Sequence, residues 1–479
     1  MFGVLSWGCA AALLILRAPI TYAGPGNDFW NYFYPAGKEV LNGYLHYATP
    51  VRYTTANTGI FRYPPFAALL FAAFAWLPRR TADIAFWAFN VSTVIAVGVL
   101  LASRFGASWA TRLAITGMLL LGLLSFAPLE SALAVQIDPF ILLLLVGAYC
   151  AIEASSDRAR GAMIGGFLLG LAIAIKVYPV VPLVVLLWLR REYVRQILAG
   201  TVAALLLTTA LTIPVVGVAP FWHYFHAAGT QSNTVLSSFF TTFGVLNVAT
   251  RLLTPNPYTI GSLDLSASVP RIVYAVFAVG VFVALAWRYR NERATPAAAW
   301  ITALGAAIIC SPFLEVYHLT TLAVVPVLLA IDATQASDRP ARGGTSTRGT
   351  GGLVVLVASC VVCSFVVPQI GHHVGEALSA AVALAVGAIL WRAAQGTAGP
   401  RIVWAASGAC FVFLSTPSFD GLSGFWGFPM SMTQAVVGSG ELMAAVALVA
   451  CIVWLNGRVP DGAASGRPEP ERAAVAVPA

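Results

Sequence analysis

The most constraining feature of this chain is a series of continuous apolar runs, each about as long as the roughly 20 residues that cross a bilayer as a helix. Transmembrane barrel strands are shorter and alternate in character, so these runs exclude a barrel. Only 10% of the residues are charged, whereas about a quarter are charged in soluble domains. The sequence therefore predicts an all-α polytopic membrane protein.

We expect about 12 to 14 transmembrane helices, because each run must satisfy its backbone hydrogen bonds within the bilayer. The first run lacks a basic region before it, so it is predicted to be a retained helix and not a cleaved signal peptide. The run 65–78 is too short to span and is predicted to be an interfacial or re-entrant helix. The predicted spans are residues 2–23, 83–101, 113–127, 139–153, 162–176, 178–190, 196–214, 270–287, 296–310, 318–331, 352–367, 377–391, 401–415 and 434–455.

Arginine clusters between the spans predict the orientation, because basic residues concentrate in cytoplasmic loops. A cytoplasmic N-terminus places 18 of the 27 basic residues inside, and keeping the run 65–78 outside leaves Arg79 and Arg80 there as well. Residues 24–82, 215–268 and 416–433 then lie outside. We expect a multi-pass protein of the cell inner (plasma) membrane.

Four regions are predicted. Residues 1–332 form a catalytic transmembrane module, 333–351 a flexible cytoplasmic linker, 352–455 the C-terminal transmembrane helices, and 456–479 a disordered cytoplasmic tail. The seven cysteines lie in or beside apolar runs and imply no disulfide framework. The basic clusters serve orientation, so nucleic acid is not an expected partner.

Polar residues suited to chemistry concentrate in the outer segments. Asp28 follows a Gly-Pro-Gly turn after the first span and precedes an aromatic run, which would hold a carboxylate at the mouth of a lipid-facing cavity. Helix capping by Asp28 is the simpler alternative. Arg62 and Tyr63 stand before Pro64 in an extended segment.

Further candidates lie in the same outer layer. Lys176 ends an apolar span, where it serves either as a cation for substrate or as a lysine whose ammonium reaches the interface. Gln136 and Asp138 stand on an outer turn and are candidates for binding sugar hydroxyls, although Asp138 is equally explained as a helix cap. Additional phosphate-binding candidates are Arg251, Arg271 and His318.

Taken in order, these features resemble glycosyltransferase family 87, of the C-type superfamily of integral membrane glycosyltransferases. The resemblance covers roughly residues 20–330. It is carried by the acidic residue after the first span, the Tyr-Pro-Pro turn, VQIDPF (135–140), GFLLGLAIAIKVYP (166–179) and SPFLEVYHL (311–319). The sequence departs from the family where Tyr317 stands in place of the first of two adjacent histidines, and Gln231 and Ser232 only loosely match an Asn-Gln-Ser stretch.

The resemblance implies transfer of a sugar from a polyprenyl-phosphate donor to a lipid-linked or glycan acceptor outside the membrane. The sugar would be mannose, with arabinofuranose possible. Asp28 corresponds to the family's first-loop aspartate, Lys176 to its lysine, and Ser311, Pro312 and His318 to its serine-to-histidine stretch, in which Glu315 and Tyr317 become substrate-binding candidates.

The chemistry agrees with this expectation. Phosphate is already a fair leaving group, so one base and some cations suffice, and the displacement inverts the anomeric carbon. Asp28 is the predicted general base. No cofactor is predicted, although a divalent metal remains open. A secondary transporter or lipid flippase is the alternative function, because it shares the apolar bulk, and a scaffold for envelope assembly is a third.

Overall fold

The structure is a computed structural model. It describes residues 7–8, 10–11, 28–47, 61–103, 112–113, 116–117, 119–120, 136–230, 244–257, 259–290, 294–312, 316–325, 327–328, 382, 385 and 430–431. Most of the predicted spans 2–23 and 113–127 lie outside these residues. So do nearly all of the C-terminal helices predicted at 352–455, the linker 333–351 and the tail 456–479.

The first outer segment is helical. A π-helical turn, Phe29–Phe33, runs into α1 (Tyr34–Leu41), and α2 (Pro65–Ala75) begins directly after Pro64. At 11 residues, α2 is about 16 Å long. It is therefore too short to span a bilayer, as the sequence predicts for the run 65–78.

The remaining helices are α3 (Arg79–Ala102), α4 (Asp138–Ala154), α5 (Arg158–Ile175), α6 (Val180–Leu189), α7 (Val194–Val216), α8 (Ala219–Thr230), α9 (Val245–Leu253), α10 (Ser268–Arg288) and α11 (Pro296–Ile309). Seven of them overlap predicted spans, whereas α8 and α9 lie in the predicted outer segment 215–268. Single 3₁₀ segments occupy Arg191–Tyr193 and Val316–Val324. Two short strands, β1 (Thr259–Ile260) and β2 (Met430–Ser431), pair in parallel.

Four described segments are long and apolar enough to cross a membrane: Arg79–Ala102, Arg158–Ile175, Arg191–Val216 and Ser268–Arg288. The protein is therefore a helical, multi-spanning membrane protein, which confirms the predicted fold class.

Small residues allow α5 to pack closely against α7. The Thr201 hydroxyl donates to the Gly166 carbonyl oxygen at 3.0 Å. A Cβ at Gly166 would lie 2.1 Å from the Ile197 carbonyl oxygen, and one at Gly170 would lie 2.6 Å from that of Thr201. Backbones approach this closely in membranes where glycine leaves room. The contacts advance together along both helices, so α5 and α7 are parallel and held in a fixed register.

A buried ion pair joins the ends of α4 and α6 that are predicted to face the cytoplasm. Arg190 Nε donates to Glu153 Oε1 at 2.8 Å, and an Arg190 guanidinium nitrogen donates to the Ala294 carbonyl oxygen at 3.2 Å. The opposite ends of α4 and α5 carry Asp138 and Lys176. Ionisable groups thus lie at both ends of this helical layer, away from its apolar middle.

Aromatic rings attach the first outer segment to the helices. Phe33 stacks on Phe71 at 4.3 Å between ring centroids, and Phe29 stacks on Phe86 at 4.5 Å. Arg79 donates to the Trp30 carbonyl oxygen and lies 4.4 Å from the Trp30 ring centroid. Arg79 therefore has a local structural role, which accounts for an arginine on the predicted outer side.

The close contact between α5 and α7 predicts that Gly166→Ala destabilises the protein. The added methyl group must displace backbone atoms of α7, and overpacking of this kind costs about 1–3 kcal/mol. Gly280→Ala on α10 is the matched control, because its Cβ meets nothing within 4 Å. Thermal unfolding in detergent should show a lower Tm for Gly166→Ala and no loss for Gly280→Ala. Equal Tm values would contradict the close contact.

Candidate active site

The Asp28 carboxylate points into the protein and not back onto its own helix. Asp28 is the N-cap of the π-helical turn but makes no side-chain capping hydrogen bond. Its Oδ2 instead accepts a hydrogen bond from Gln136 Nε2, which lies 108 positions later in the chain. The structure therefore does not support capping as the explanation of this aspartate.

Gln136 joins Asp28 to Tyr63. Its side-chain oxygen accepts a hydrogen bond from the Tyr63 hydroxyl at 2.7 Å, and its backbone carbonyl accepts one from Asn90 Nδ2 at 2.8 Å. The residue has no exposed surface. Tyr63 is fixed in turn because the Tyr47 hydroxyl donates to its carbonyl oxygen at 2.6 Å.

Lys176 pairs with Asp138 at a distance of 2.7 Å between Nζ and Oδ2. The ammonium also lies 5.3 Å from the Tyr63 ring centroid and 5.7 Å from that of Tyr178. Lys176 is 9% exposed and Asp138 is fully buried. The lysine is therefore not extended toward the interface, and the Asp138 side chain forms this ion pair.

Opposing electrostatic effects act on Asp28, which precedes the described membrane-spanning helices. Burial raises the pKa of its carboxyl group to about 6, and Asp138 adds to that rise. The positive charges of Lys176 and Arg62 and the hydrogen bond from Gln136 work in the opposite direction. The carboxyl group thus titrates close to neutral pH, the range suited to a general base.

This set of side chains lies level with the middle of α3. Asn90, which contacts Gln136, stands 11 positions after Arg79, the first residue of the helix. About 16 Å of α3 therefore lies between Arg79 and Asn90. The expectation that Asp28 lies at the outer surface of the membrane stays a prediction.

His318 borders the same region through Tyr178, whose ring centroid lies 5.9 Å from that of His318. Tyr178 was not among the predicted site residues, although it belongs to the KVYP end of a motif that was singled out. Asn90 was missed as well, because a single polar residue inside a predicted span gives no sign of its distant partner.

The other predicted residues lie on later elements of the described structure or outside the described residues. Arg251 is buried on α9, which begins beside Ser311 and Pro312, and burial lowers its pKa to about 10. Arg271 is exposed on α10. Glu315, the Tyr317 side chain, Gln231 and Ser232 lie outside the described residues.

Residues 61–312 of the chain match the family model described as Glycosyltransferase family 87. This match covers more than half of the 479 residues. The chain belongs to glycosyltransferase family 87. The matched region of this family 87 protein contains Tyr63, Gln136 and Lys176, and Asp28 reaches it through the hydrogen bond to Gln136.

Two solved structures show weak likeness to this family 87 protein. ArnT from Cupriavidus metallidurans in the apo state is 17% identical with a TM-score of 0.38, covering 93% of this chain and 76% of that chain. The same protein bound to undecaprenyl phosphate is 17% identical with a TM-score of 0.39, covering 95% and 77%. These TM-scores are too low to show a common fold. No curated protein matches the chain.

Metal ligands do not cluster in the part of the chain that the structure describes: no group of three or more His, Cys, Asp or Glu side chains is arranged to hold an ion there. Lys176 occupies the position beside Asp138 at which a cation would otherwise balance the carboxylate. The described residues of the site are joined by hydrogen bonds and by the ion pair between Lys176 and Asp138.

The raised pKa of Asp28 predicts a pH-dependent difference in stability between the wild type and Asp28→Asn. The folded wild type binds a proton more tightly than the unfolded chain, so its stability falls as pH rises from about 4 to about 6. The asparagine side chain keeps an acceptor for Gln136 and has no charge to desolvate. Thermal unfolding in detergent from pH 4.5 to 7.5 should show the Tm of Asp28→Asn rising relative to that of the wild type as the pH increases. A Tm difference that stays constant with pH would contradict the burial of Asp28.

The buried pair predicts unequal effects of replacing the two lysines of the chain. Lys176→Met leaves Asp138 buried without its cation, which typically costs about 3–5 kcal/mol. Lys38→Met is the matched control, because Lys38 is exposed on α1. Lys176→Met should lower Tm strongly, and adding Asp138→Asn should restore part of the loss. Similar Tm values for the two single variants would contradict the role of the pair.

Proposed function

We propose that this family 87 glycosyltransferase transfers a sugar from a polyprenyl-phosphate donor to an acceptor hydroxyl, with Asp28 as the general base. The observation that carries the proposal is a partly buried Asp28 carboxylate that accepts a hydrogen bond from Gln136 and lies near two cations, Lys176 and Arg62. Burial raises the pKa of this carboxyl group to about 6. Such a group is ionised at neutral pH and still basic enough to accept a proton as a bond forms.

The reaction is a single displacement that inverts the anomeric carbon. The acceptor oxygen attacks that carbon while its proton passes to Asp28. The bond between the anomeric carbon and the phosphate oxygen breaks, and polyprenyl phosphate leaves with the electron pair. Positive groups near the departing oxygen stabilise its developing charge, and Arg62 suits this task because it is exposed at the site.

Lys176 contributes differently, because Asp138 already neutralises it. With Asp28 ionised, the two carboxylates balance the two cations, so the site carries no net charge from these four groups. When Asp28 accepts the proton, one negative charge disappears and the cations become available to the phosphate. Proton transfer and leaving-group stabilisation are thereby coupled.

We further propose mannose as the sugar, with arabinofuranose as the alternative, and a glycolipid or polysaccharide as the acceptor. The reaction takes place on the extracytoplasmic side of the inner membrane, with the N-terminus in the cytoplasm. His318 and Arg251 are proposed to bind the donor phosphate, and Tyr63, Asp138, Glu315 and Tyr317 to shape the sugar site. These assignments rest on the resemblance and on the outer positions predicted for these residues.

The proposal predicts that Asp28→Asn lowers the transfer rate by about 10²–10⁴-fold, the usual contribution of a general base. Glu39→Gln is the matched control, because Glu39 lies on α1 and accepts from the backbone nitrogen of exposed His46. The assay uses purified protein in nanodiscs, radiolabelled polyprenyl-phosphate mannose, and lipid extract from cells lacking the protein.

Transfer appears as label in a larger glycolipid. Full activity of Asp28→Asn would contradict the role of Asp28. Label that only changes leaflet in proteoliposomes would favour a flippase, and label accepted only from polyprenyl-phosphate arabinofuranose would replace mannose in the proposal.

A further inference from the structure

The side chain of Gln136 has its hydrogen-bonding groups engaged inside the protein. Its nitrogen donates to Asp28 and its oxygen accepts from Tyr63, while its backbone carbonyl accepts from Asn90. The residue is fully buried. A side chain held in this way is poorly suited to bind sugar hydroxyls, which is the role that the sequence suggested.

The direction of these hydrogen bonds is determined by chemistry. An ionised carboxylate only accepts hydrogen bonds, so the amide NH₂ group must face Asp28. The amide oxygen is then turned toward Tyr63, whose hydroxyl donates to it. The chain of donors runs from Tyr63 through Gln136 to Asp28, and every step favours the ionised form of the carboxylate.

The network also connects parts of the protein that are distant in sequence. Asp28 precedes the π-helical turn, Tyr63 precedes α2, and Asn90 belongs to α3, whereas Gln136 stands just before α4. The amide therefore fixes the first outer segment, and the carboxylate that it carries, against the helices that hold Lys176 and Asp138.

We propose that Gln136 is a positioning residue that orients the Asp28 carboxylate and keeps it ionised, and that it does not bind the substrate. This inference rests on the proposed function of Asp28 as the base. The bond from Gln136 occupies Oδ2, and in the proposed reaction Oδ1 accepts the proton of the acceptor hydroxyl.

The kinetic test compares Gln136→Met with Gln196→Met, which makes the same replacement at the other end of the protein, on the first turns of α7. Loss of orientation should lower kcat about 10–100-fold and leave KM for polyprenyl-phosphate mannose within about twofold. Gln196→Met should keep both constants. A raised KM with unchanged kcat would identify Gln136 as a substrate ligand and overturn the proposal.

A second measurement does not depend on activity. The wild type and Gln136→Met are each compared with their own Asp28→Asn derivative. The difference in Tm within each pair is measured from pH 4.5 to 8.5. Charged groups that face Asp28 are Lys176, Arg62 and Asp138, and all three are unchanged in Gln136→Met. Losing the donor should raise the pKa of Asp28. The pH range over which the Tm difference changes should therefore move upward by about one pH unit. An unchanged pH range would overturn the proposal.

Tyr63→Phe provides a milder variant for the case in which Gln136→Met does not fold. It removes the hydroxyl that donates to the Gln136 side-chain oxygen but keeps the Gln136 donor to Asp28. The pH range over which the Tm difference changes should therefore move upward by less than in Gln136→Met. If wild-type protein transfers no sugar from any donor, the proposed function fails, while the stability measurement still decides the role of Gln136.

Discussion

The site depends on keeping one carboxylate away from bulk water without suppressing its ionisation. A buried charge is tolerated only where hydrogen bonds and opposite charges compensate for lost hydration. Asp28 receives a hydrogen bond from Gln136 and the fields of Lys176 and Arg62. These contributions offset part of the effect of burial, and the pKa of about 6 reflects the remainder.

The helical packing provides this environment. Close backbone contact at Gly166 and Gly170 fixes α5 against α7, and this fixes the end of α5, where Lys176 follows. The buried pair between Lys176 and Asp138 then ties that end to the start of α4. Because Gln136 stands two residues before Asp138, the same turn supplies both the partner of the lysine and the donor to Asp28. The glycines that pack α5 against α7 and the lysine of the site thus lie on the same stretch of the chain.

The helices were predictable from sequence because apolar runs in lipid leave little choice of conformation. The sequence predicted spans at 162–176 and 270–287, and the structure has helices at Arg158–Ile175 and Ser268–Arg288. Asp28, Tyr63, Gln136 and Lys176 were also singled out from local motifs. Their partners were not predictable, because the hydrogen bond between Asp28 and Gln136 joins residues 108 positions apart. Without that contact, capping and substrate binding remained reasonable explanations of Asp28 and Gln136. Asn90 gave no local signal, and Tyr178 belonged to a motif that gave no sign of its contact with His318.

The pH dependence of single-turnover sugar transfer by the wild-type protein tests the central claim most directly. If Asp28 must be ionised to accept the proton, the rate should rise about tenfold per pH unit below about pH 6 and become constant above it. A rate independent of pH between 4.5 and 7.5 would show that no group with this pKa takes part in the reaction, and it would contradict the account.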